Sequence, residues 1–419
     1  YTSFFSDTIG LSQFLQKLNL FPNYKIDFKE EKRIGNDTPF SFLIPSTDVA
    51  STEYKKDGNI SIKSNDIDIL LSKKGGDYEI IYHCKDAKKC LNFQYLKSDL
   101  ELEFSGTLVL SEDGYEINDM KGNLNSNVFS GRISDNSCFL SFNSFNFDDL
   151  DDSKLTTDIY LEKPNYMTNI FESDKDVNIK IKSLHINDSI LNNTDISYKE
   201  KTLKIISQNL DVFVRKGEEF SGYVKASSFP LDAKLFKDSP FFMNLETCDI
   251  DSIFVSRRVD NFSSLFFDLQ SDFKLSCTNS NLYNFNFSNA IKSVYSLTQL
   301  SVDNISASIR KSILTPSKET SSITFQGQLN KGTLKILKFT SANDYGKIDA
   351  KGDGEFSKKK FSIMSNIELN YLGLTPVKMT YSNEGSIYKN TPKFEFNDVL
   401  GIQKYYLDSN RSKLEFLTK

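Results

Sequence analysis

The chain has 419 residues and a formal net charge of −5, from 51 lysines and arginines and 56 acidic residues. The two signs are well dispersed and form no basic stripe, which argues against nucleic acid as a partner. No segment is apolar enough for a signal peptide or a transmembrane helix. Because the chain starts at Tyr1 without a methionine, we expect that a preceding N-terminal segment has been trimmed.

An amphipathic helix is predicted for residues 1–22. Apolar side chains recur on one side at helical spacing, and Pro22 ends the segment. This pattern is typical of a helix that packs against a core or caps its end. A helix on a membrane surface fits less well, because Lys17 is its only basic residue.

The rest of the chain is predicted to be mostly β. Apolar and polar residues alternate most clearly from Leu100 to Leu110, and tight turns are predicted at Gly75–Asp77 and Asp113–Gly114. Helices are predicted at only a few further places, namely around Ala233–Phe236, around Asn261–Phe267, after Phe287, and at Val399–Leu407.

The tripeptide Phe-Ser-Gly occurs at the end of two similar stretches, at Phe129–Gly131 and Phe220–Gly222. Each copy follows a strand and a turn. The spacing of about ninety residues indicates a repeated β unit.

Leu269–Leu369 contains the longest succession of alternating runs. We interpret it as strands with one wet and one dry face, interrupted by a helix from Ser288 to Leu300. The alternating residues include Tyr283, Phe285 and Phe287, then Ile305, Ala307 and Ile309, then Ile323–Leu329 and Phe361–Leu369. The resulting one-sided apolar surface is the main functional feature that the sequence predicts.

Five cysteines are present, and only Cys84 and Cys90 are close together. Both flank strand-like runs, so they could form a disulfide across a hairpin in an oxidising compartment, or remain two half-buried thiols. Cys138, Cys248 and Cys277 are interpreted as structural.

Candidate catalytic and metal-binding groups are few, and we predict a protein that is not an enzyme and has no metal or cofactor. His83 and His185 lack the partners of a nucleophilic triad. The acidic run at residues 148–152 lacks the spacing of a calcium loop, and Gly352–Gly354 is interpreted as a lone turn rather than a phosphate-binding loop. Paired carboxylates for glycoside hydrolysis stay open as a third reading, because any two may meet in space.

The order of signals from Phe242 to Leu369 resembles the C-terminal region of the AsmA family, bacterial envelope proteins related to TamB and YhdP. The resemblance rests on the segment FDLQSDFKLSCTNSNLYNFNFSNAI followed by a helix and long strands, and on Asp176–Phe229 before it. The family usually has glycine at the positions of Ser271, Ser276 and Asn279. The resemblance implies a body in the periplasm and an inner-membrane anchor N-terminal to this chain. It also implies a groove that carries phospholipid acyl chains or serves outer-membrane assembly, in which case assembly proteins would be partners.

The predicted fold is therefore mostly β, an elongated, curved antiparallel sheet that forms a groove, with a few short helices. The predicted divisions are residues 1–22, 23–160 and 161–419, the last two continuous with each other. An alternative is a structural or adhesive β-sandwich module of a secreted or surface protein, in which the same side chains form an ordinary core. The residues predicted to contact lipid are Phe104, Leu108, Leu184, Val212, Phe273, Leu275, Phe285, Phe287, Phe325 and Ile363.

Overall fold

The structure is a computed structural model that describes residues 27–29, 40–43, 49–54, 59–63, 66–87, 97, 99–111, 114–134, 136–146, 171, 174–186, 189–235, 243–257, 262–298, 301–370, 376–386 and 389–396. Within these ranges the chain is mostly β with a few short helices, which confirms the predicted fold class. The predicted helices at residues 1–22 and 399–407 and the acidic run at 148–152 lie outside the described residues, as does Cys90.

The chain divides into two compact units. Among the described residues, the first unit ends at Gln208 and the second begins at Asn209. The division predicted from the sequence, between residues 160 and 161, falls in a stretch outside the described residues.

The first unit is built from consecutive strands that pair with their neighbours in the chain. All of these pairings are antiparallel except the one between β10 and β11, so the sheet of this unit is mixed rather than purely antiparallel. A parallel pair needs a long crossover, and about thirty residues separate these two strands. The strands are β1 (Asp27–Lys29), β2 (Phe40–Leu43), β3 (Val49–Tyr54), β4 (Ile60–Lys63), β5 (Ile67–Lys74), β6 (Asp77–Cys84), β7 (Leu102–Ser111), β8 (Gly114–Leu124), β9 (Asn127–Ser134), β10 (Ser137–Asn146), β11 (Asp176–Ile186), β12 (Ser189–Lys199) and β13 (Thr202–Ile206).

The tight turn predicted at Gly75–Asp77 is confirmed. Lys74 pairs with Asp77 at the ends of β5 and β6, so the turn consists of Gly75 and Gly76 alone. Gly75 has φ +65°, a left-handed conformation that glycine adopts without a steric penalty.

The Phe-Ser-Gly tripeptides mark places where two strands approach unusually closely. Phe129 and Phe220 are buried, and the glycine two residues later lies on the same face of its strand. A Cβ atom on Gly131 would overlap the carbonyl oxygen of Phe139, and one on Gly222 would overlap that of Phe213. A third copy of the tripeptide, at Phe104–Gly106, has the same alternation, and its glycine is less crowded: an added Cβ would lie 2.9 Å from the carbonyl oxygen of Asn118.

The second unit is an antiparallel succession of strands, each paired with the next from β14 to β23. One helix connects β16 to β17, and a pair of helices connects β17 to β18. The strands are β14 (Leu210–Lys216), β15 (Phe220–Leu235), β16 (Met243–Ser256), β17 (Gln270–Leu282), β18 (Thr320–Asn330), β19 (Thr333–Asn343), β20 (Gly346–Glu355), β21 (Lys360–Leu369), β22 (Val377–Ser386) and β23 (Lys389–Phe396). The helices are α1 (Phe262–Asp268), α2 (Phe287–Tyr295) and α3 (Val302–Ile313).

Two stretches predicted as strands belong instead to the helical pair. Ile305 and Ile309 are four residues apart and fully buried, so their spacing fits one side of α3 as well as alternate positions of a strand. The side chain of Ser301 accepts a hydrogen bond from the backbone N–H of Asn304, at 3.1 Å, and so favours the helix at its first turn.

The run Tyr283, Phe285 and Phe287 is likewise not a strand, because β17 ends at Leu282. Asn286 caps α2 by accepting a hydrogen bond from the N–H of Asn289 at 2.8 Å. The prediction of a helix after Phe287 is confirmed, as is the helix around Asn261–Phe267, which is α1. The helix predicted around Ala233–Phe236 is wrong, because Ala233–Leu235 pair with β16.

One disulfide joins neighbouring strands of the second unit. Cys248 in β16 lies directly opposite Cys277 in β17, with the two Cα atoms 4.0 Å apart, and both side chains are buried. Cys84 is also disulfide-bonded, which agrees with one of the two alternatives for that residue, and Cys138 is a free, half-buried thiol. The partner predicted for Cys84, Cys90, stays a prediction.

Replacing both Cys248 and Cys277 with alanine is expected to lower the free energy of unfolding by roughly 3 kcal/mol. The bond closes a loop with a sequence separation of 29 residues, and its loss frees the unfolded chain. Urea unfolding of the double variant measures this change. The control is Cys138→Ala, which removes a thiol without a disulfide and should change stability by less than about 1 kcal/mol; equal losses in the two proteins would contradict the expectation.

Candidate functional site

The candidate site is the face of the second unit's sheet against which α2 and α3 pack, here called the helix-side face. Buried side chains of both helices belong to one apolar cluster with alternate residues of β16 to β22. Phe287, Ala290, Ile291 and Val294 contribute from α2, and Ile305, Ile309 and Ile313 from α3. The polar contacts of the helical pair are mostly within the pair, such as the Ser293–Ser312 hydroxyl contact of 2.9 Å.

The helices cover two rows of side chains that run across the strands, here called the covered rows. Their members from β18 to β22 are buried, whether apolar or polar. The first covered row contains Cys277, Ile323, Ser341, Ile348, Ile367 and Met379, and the second contains Leu275, Phe325, Phe339, Ala350, Ser365 and Tyr381.

Two further rows continue the helix-side face toward the opposite ends of the strands, here called the open rows. Most of these residues are only partly buried, and half of the positions carry large aliphatic or aromatic side chains while four are glycine. One open row contains Phe273, Gly327, Ile336, Gly352, Ile363 and Asn383, and the other contains Ser271, Leu329, Leu334, Gly354, Phe361 and Gly385. The apolar face therefore extends past the helices that cover it.

Glycine alternates with large side chains along the open rows. The ring of Phe273 lies over Gly327, where its Cζ atom would be 2.8 Å from an added Cβ, and it packs edge-to-face on Phe325 at 5.1 Å. At Gly354, by contrast, an added Cβ would meet only Leu334, at 3.9 Å. The face thus has a hollow at Gly354 that its own side chains do not fill.

A buried polar pair lies where the covered and open rows meet at β22. The amide of Asn383 donates a hydrogen bond of 2.9 Å to the hydroxyl of Tyr381, and both residues are fully buried. Burial raises the pKa of the Tyr381 hydroxyl to about 12, and the hydrogen bond from Asn383 opposes that rise. Tyr381 is therefore neutral, and contributes no charge to the apolar face, at neutral pH.

Six of the predicted lipid-contact residues lie between β17 and β21, and they fall into two groups. Phe273, Leu275 and Ile363 are partly buried on the helix-side face, and the first and last belong to the open rows. Phe285, Phe287 and Phe325 are buried in the core that α2 and α3 form with the sheet. The ring of Phe285 packs edge-to-face on Tyr381 at 5.5 Å, and Phe287 contacts Gly346.

Three other predicted residues lie in the first unit, and a fourth lies on the helix-side face beyond the strands named above. Phe104 and Leu108 in β7 and Leu184 in β11 are buried in the first unit, where Phe104 stacks on Tyr82 at 4.8 Å. Val212 in β14 is partly buried in the second unit and lies in register with Phe273 through Val224 and Ser252, on the continuation of an open row. The contact of these four residues with lipid stays a prediction.

Two glycines of the open rows were placed wrongly by the sequence-based prediction. Gly352 and Gly354 were interpreted as a lone turn, but both lie inside β20 on its helix-side face. Their spacing of two residues within an alternating pattern is the signal that could have placed them in a strand. Ile336 was also overlooked, because a register shift beside it breaks the alternation of β19.

Other chemistry is sparse in the described part of the chain. His83 and His185 are strand residues in β6 and β11. The described residues contain no group of three or more His, Cys, Asp or Glu side chains placed to hold a metal ion. Among the helices of the described ranges, none combines the length and the apolar character required to cross a bilayer.

Comparison of the chain with protein-family models, with curated proteins and with solved structures found no match. The resemblance to the AsmA family therefore has no support from these comparisons.

Proposed function

We propose that this chain is a non-enzymatic, AsmA-like envelope protein whose second unit binds the acyl chains of phospholipid on the open rows of its helix-side face. Its role would be lipid transport to the outer membrane, or assembly and maintenance of that membrane. The observation that carries the proposal is the continuation of the apolar face beyond α2 and α3, with side chains that are only partly buried.

An acyl chain suits this surface for physical reasons. The open rows present aliphatic and aromatic side chains beside glycine positions, so a flexible, unbranched chain can lie in the hollow at Gly354 without polar partners. Each methylene removed from water contributes about 0.8 kcal/mol, so a long chain gains affinity from contact area alone. Such a site is expected to discriminate little between acyl chains of similar length.

The conformation of Asn279 supports the resemblance to the AsmA family. This residue has φ +53° and lies at a register shift between β17 and β18. Glycine is the ordinary residue for that backbone conformation, and asparagine is one of the few others that tolerate it. The family usually has glycine at this position, so the departure in the sequence preserves the backbone that the family pattern requires.

The disulfide supports a location outside the reducing cytoplasm. A buried bond between Cys248 and Cys277 forms and persists in an oxidising compartment, and the bacterial periplasm is one such compartment. We propose the periplasm as the location, with an inner-membrane anchor N-terminal to this chain.

Native mass spectrometry of gently purified protein tests the proposed function. The expected result is co-purified phospholipid or fatty acid that is released when the protein is denatured. After delipidation, the folded protein is expected to bind a fluorescent 16-carbon fatty acid. A well-folded protein that carries no lipid and rebinds none would contradict the proposal and favour the β-sandwich module, whose apolar face serves only its own core.

A further inference from the structure

A cavity lies between α3 and the edge of the sheet at β23. Its volume is about 620 Å³. Among the described residues it is lined by Asp303, Ser306, Ala307, Arg310, Lys311 and Phe396. Two cationic side chains, a hydroxyl and an aromatic ring thus share one concave surface outside the open rows.

Arg310 is held in place at this cavity. Its Nη2 atom donates a hydrogen bond of 3.0 Å to the carbonyl oxygen of Phe394, and its guanidinium lies 5.3 Å from the ring centre of Phe396. A guanidinium carries five N–H donors in a rigid plane. The backbone contact and the ring contact fix its orientation, and further N–H donors can still bind an anion. Because its geometry is set in advance, an anion that binds there loses less affinity to side-chain ordering.

The charge of the cavity favours an anion. Lys311 follows Arg310 in α3 and is also exposed, and Ser306 lies one turn before Arg310 on the same side of the helix. Asp303 is the one acidic group among the described lining residues, so within that set two positive charges face one negative charge. Arginine with lysine and a hydroxyl is the donor set that suits phosphate oxygens.

The floor of the cavity is continuous with the helix-side face. Phe396 lies opposite Met379 in the first covered row, and Phe394 lies opposite Tyr381 in the second. Met379, Tyr381 and Asn383 of β22 are fully buried, so the accessible route toward the open rows runs along β23, from Phe396 over Phe394 to Pro392, which lies opposite Asn383, and on to the level of Gly385. That path is roughly 14–20 Å at 3.4 Å per residue, which is comparable to the roughly 15 Å depth of one leaflet of a bilayer's hydrocarbon core.

We propose that this cavity binds the phosphate of a phospholipid whose acyl chain occupies the helix-side face. The inference rests on the proposed function, and it adds the polar end of the ligand and the direction in which the lipid lies. The phosphate contacts Arg310 and Lys311 at β23, and the chain runs from there toward the open rows.

The test compares two lipids that share their acyl chains, phosphatidic acid and diacylglycerol, by binding to delipidated protein. Wild-type protein should bind phosphatidic acid at least tenfold more tightly than diacylglycerol. The double variant Arg310→Gln, Lys311→Gln should lose that preference and retain its affinity for diacylglycerol. Lys335→Gln, Lys351→Gln removes the same charge from exposed positions in β19 and β20 and should behave as wild type.

The outcomes separate this inference from the proposed function. Equal binding of the two lipids by wild-type protein, or a preference that survives in the Arg310 and Lys311 variant, would overturn the phosphate site and leave acyl-chain binding intact. Failure of both lipids to bind would overturn both proposals. Inorganic phosphate should compete with phosphatidic acid only weakly; complete displacement at low millimolar phosphate would show that the cavity recognises free phosphate and not the lipid.

Discussion

Gly222→Ala is expected to lower the free energy of unfolding by more than about 3 kcal/mol, the upper part of the range for overpacked sites. Gly222 lies in β15 on the same face as buried Phe220, and a Cβ there would overlap the carbonyl oxygen of Phe213 and crowd the ring of Phe254. The overlap with Phe213 is with backbone, which cannot move aside by a change of rotamer. The alanine variant must therefore separate β14 from β15 or distort both strands.

Urea or thermal unfolding of the purified variant measures this loss. Gly217→Ala is the matched control, because Gly217 lies in the turn between the same two strands and an added Cβ would meet only the carbonyl oxygen of Glu219 at 3.7 Å. We expect the control to stay within about 1 kcal/mol of wild type. If Gly222→Ala is as stable as Gly217→Ala, the close approach of β14 and β15 is not a requirement of the fold.

Gly354→Leu is expected to weaken binding of a 16-carbon fatty acid at least tenfold while the protein remains folded. The hollow at Gly354 accepts a Cβ without overlap, since Leu334 would be 3.9 Å away. A leucine there fills the space proposed for several methylene groups, and a tenfold loss corresponds to about 1.4 kcal/mol, less than two methylenes contribute.

Fluorescence titration and an unfolding curve on the same variant separate blocked binding from misfolding. Gly217→Leu serves as the control, because it adds the same side chain to an exposed turn of the second unit. Its affinity should equal that of wild type. If Gly354→Leu folds and binds with unchanged affinity, the open rows are not the acyl-chain site, whatever lipid the protein carries.

Local patterns were sufficient for many elements of this fold. The alternation from Leu100 to Leu110 corresponds closely to β7, and the glycines at Gly75–Gly76 form the predicted hairpin turn. These features depend on residues within a few positions of one another, because a strand alternates at every second residue and a turn is specified by its own backbone conformations.

Predictions from local sequence patterns were wrong where the spacing of apolar residues fits both a strand and a helix. Ile305 and Ile309 fit a strand and a helix equally well, and two features favour the helix: the cap that Ser301 provides to the N–H of Asn304 in α3, and the packing of both isoleucines in one apolar cluster with α2. The prediction of a turn at Gly352–Gly354 was wrong for a different reason. Glycine is common in turns, and that tendency outweighed the two-residue spacing that fits the strand; pairing of β20 with β19 and β21 shows that these two glycines belong to a strand.

The sequence by itself determined that the chain is mostly β and that much of its last third carries a one-sided apolar face. The tertiary structure decided which part of that face is covered, because α2 and α3 bury Phe285, Phe287 and Phe325 while Phe273 and Ile363 stay partly open. It also decided that Cys248 meets Cys277. Alternation specifies only that a face avoids water, whereas contacts between residues far apart in the chain specify what covers it.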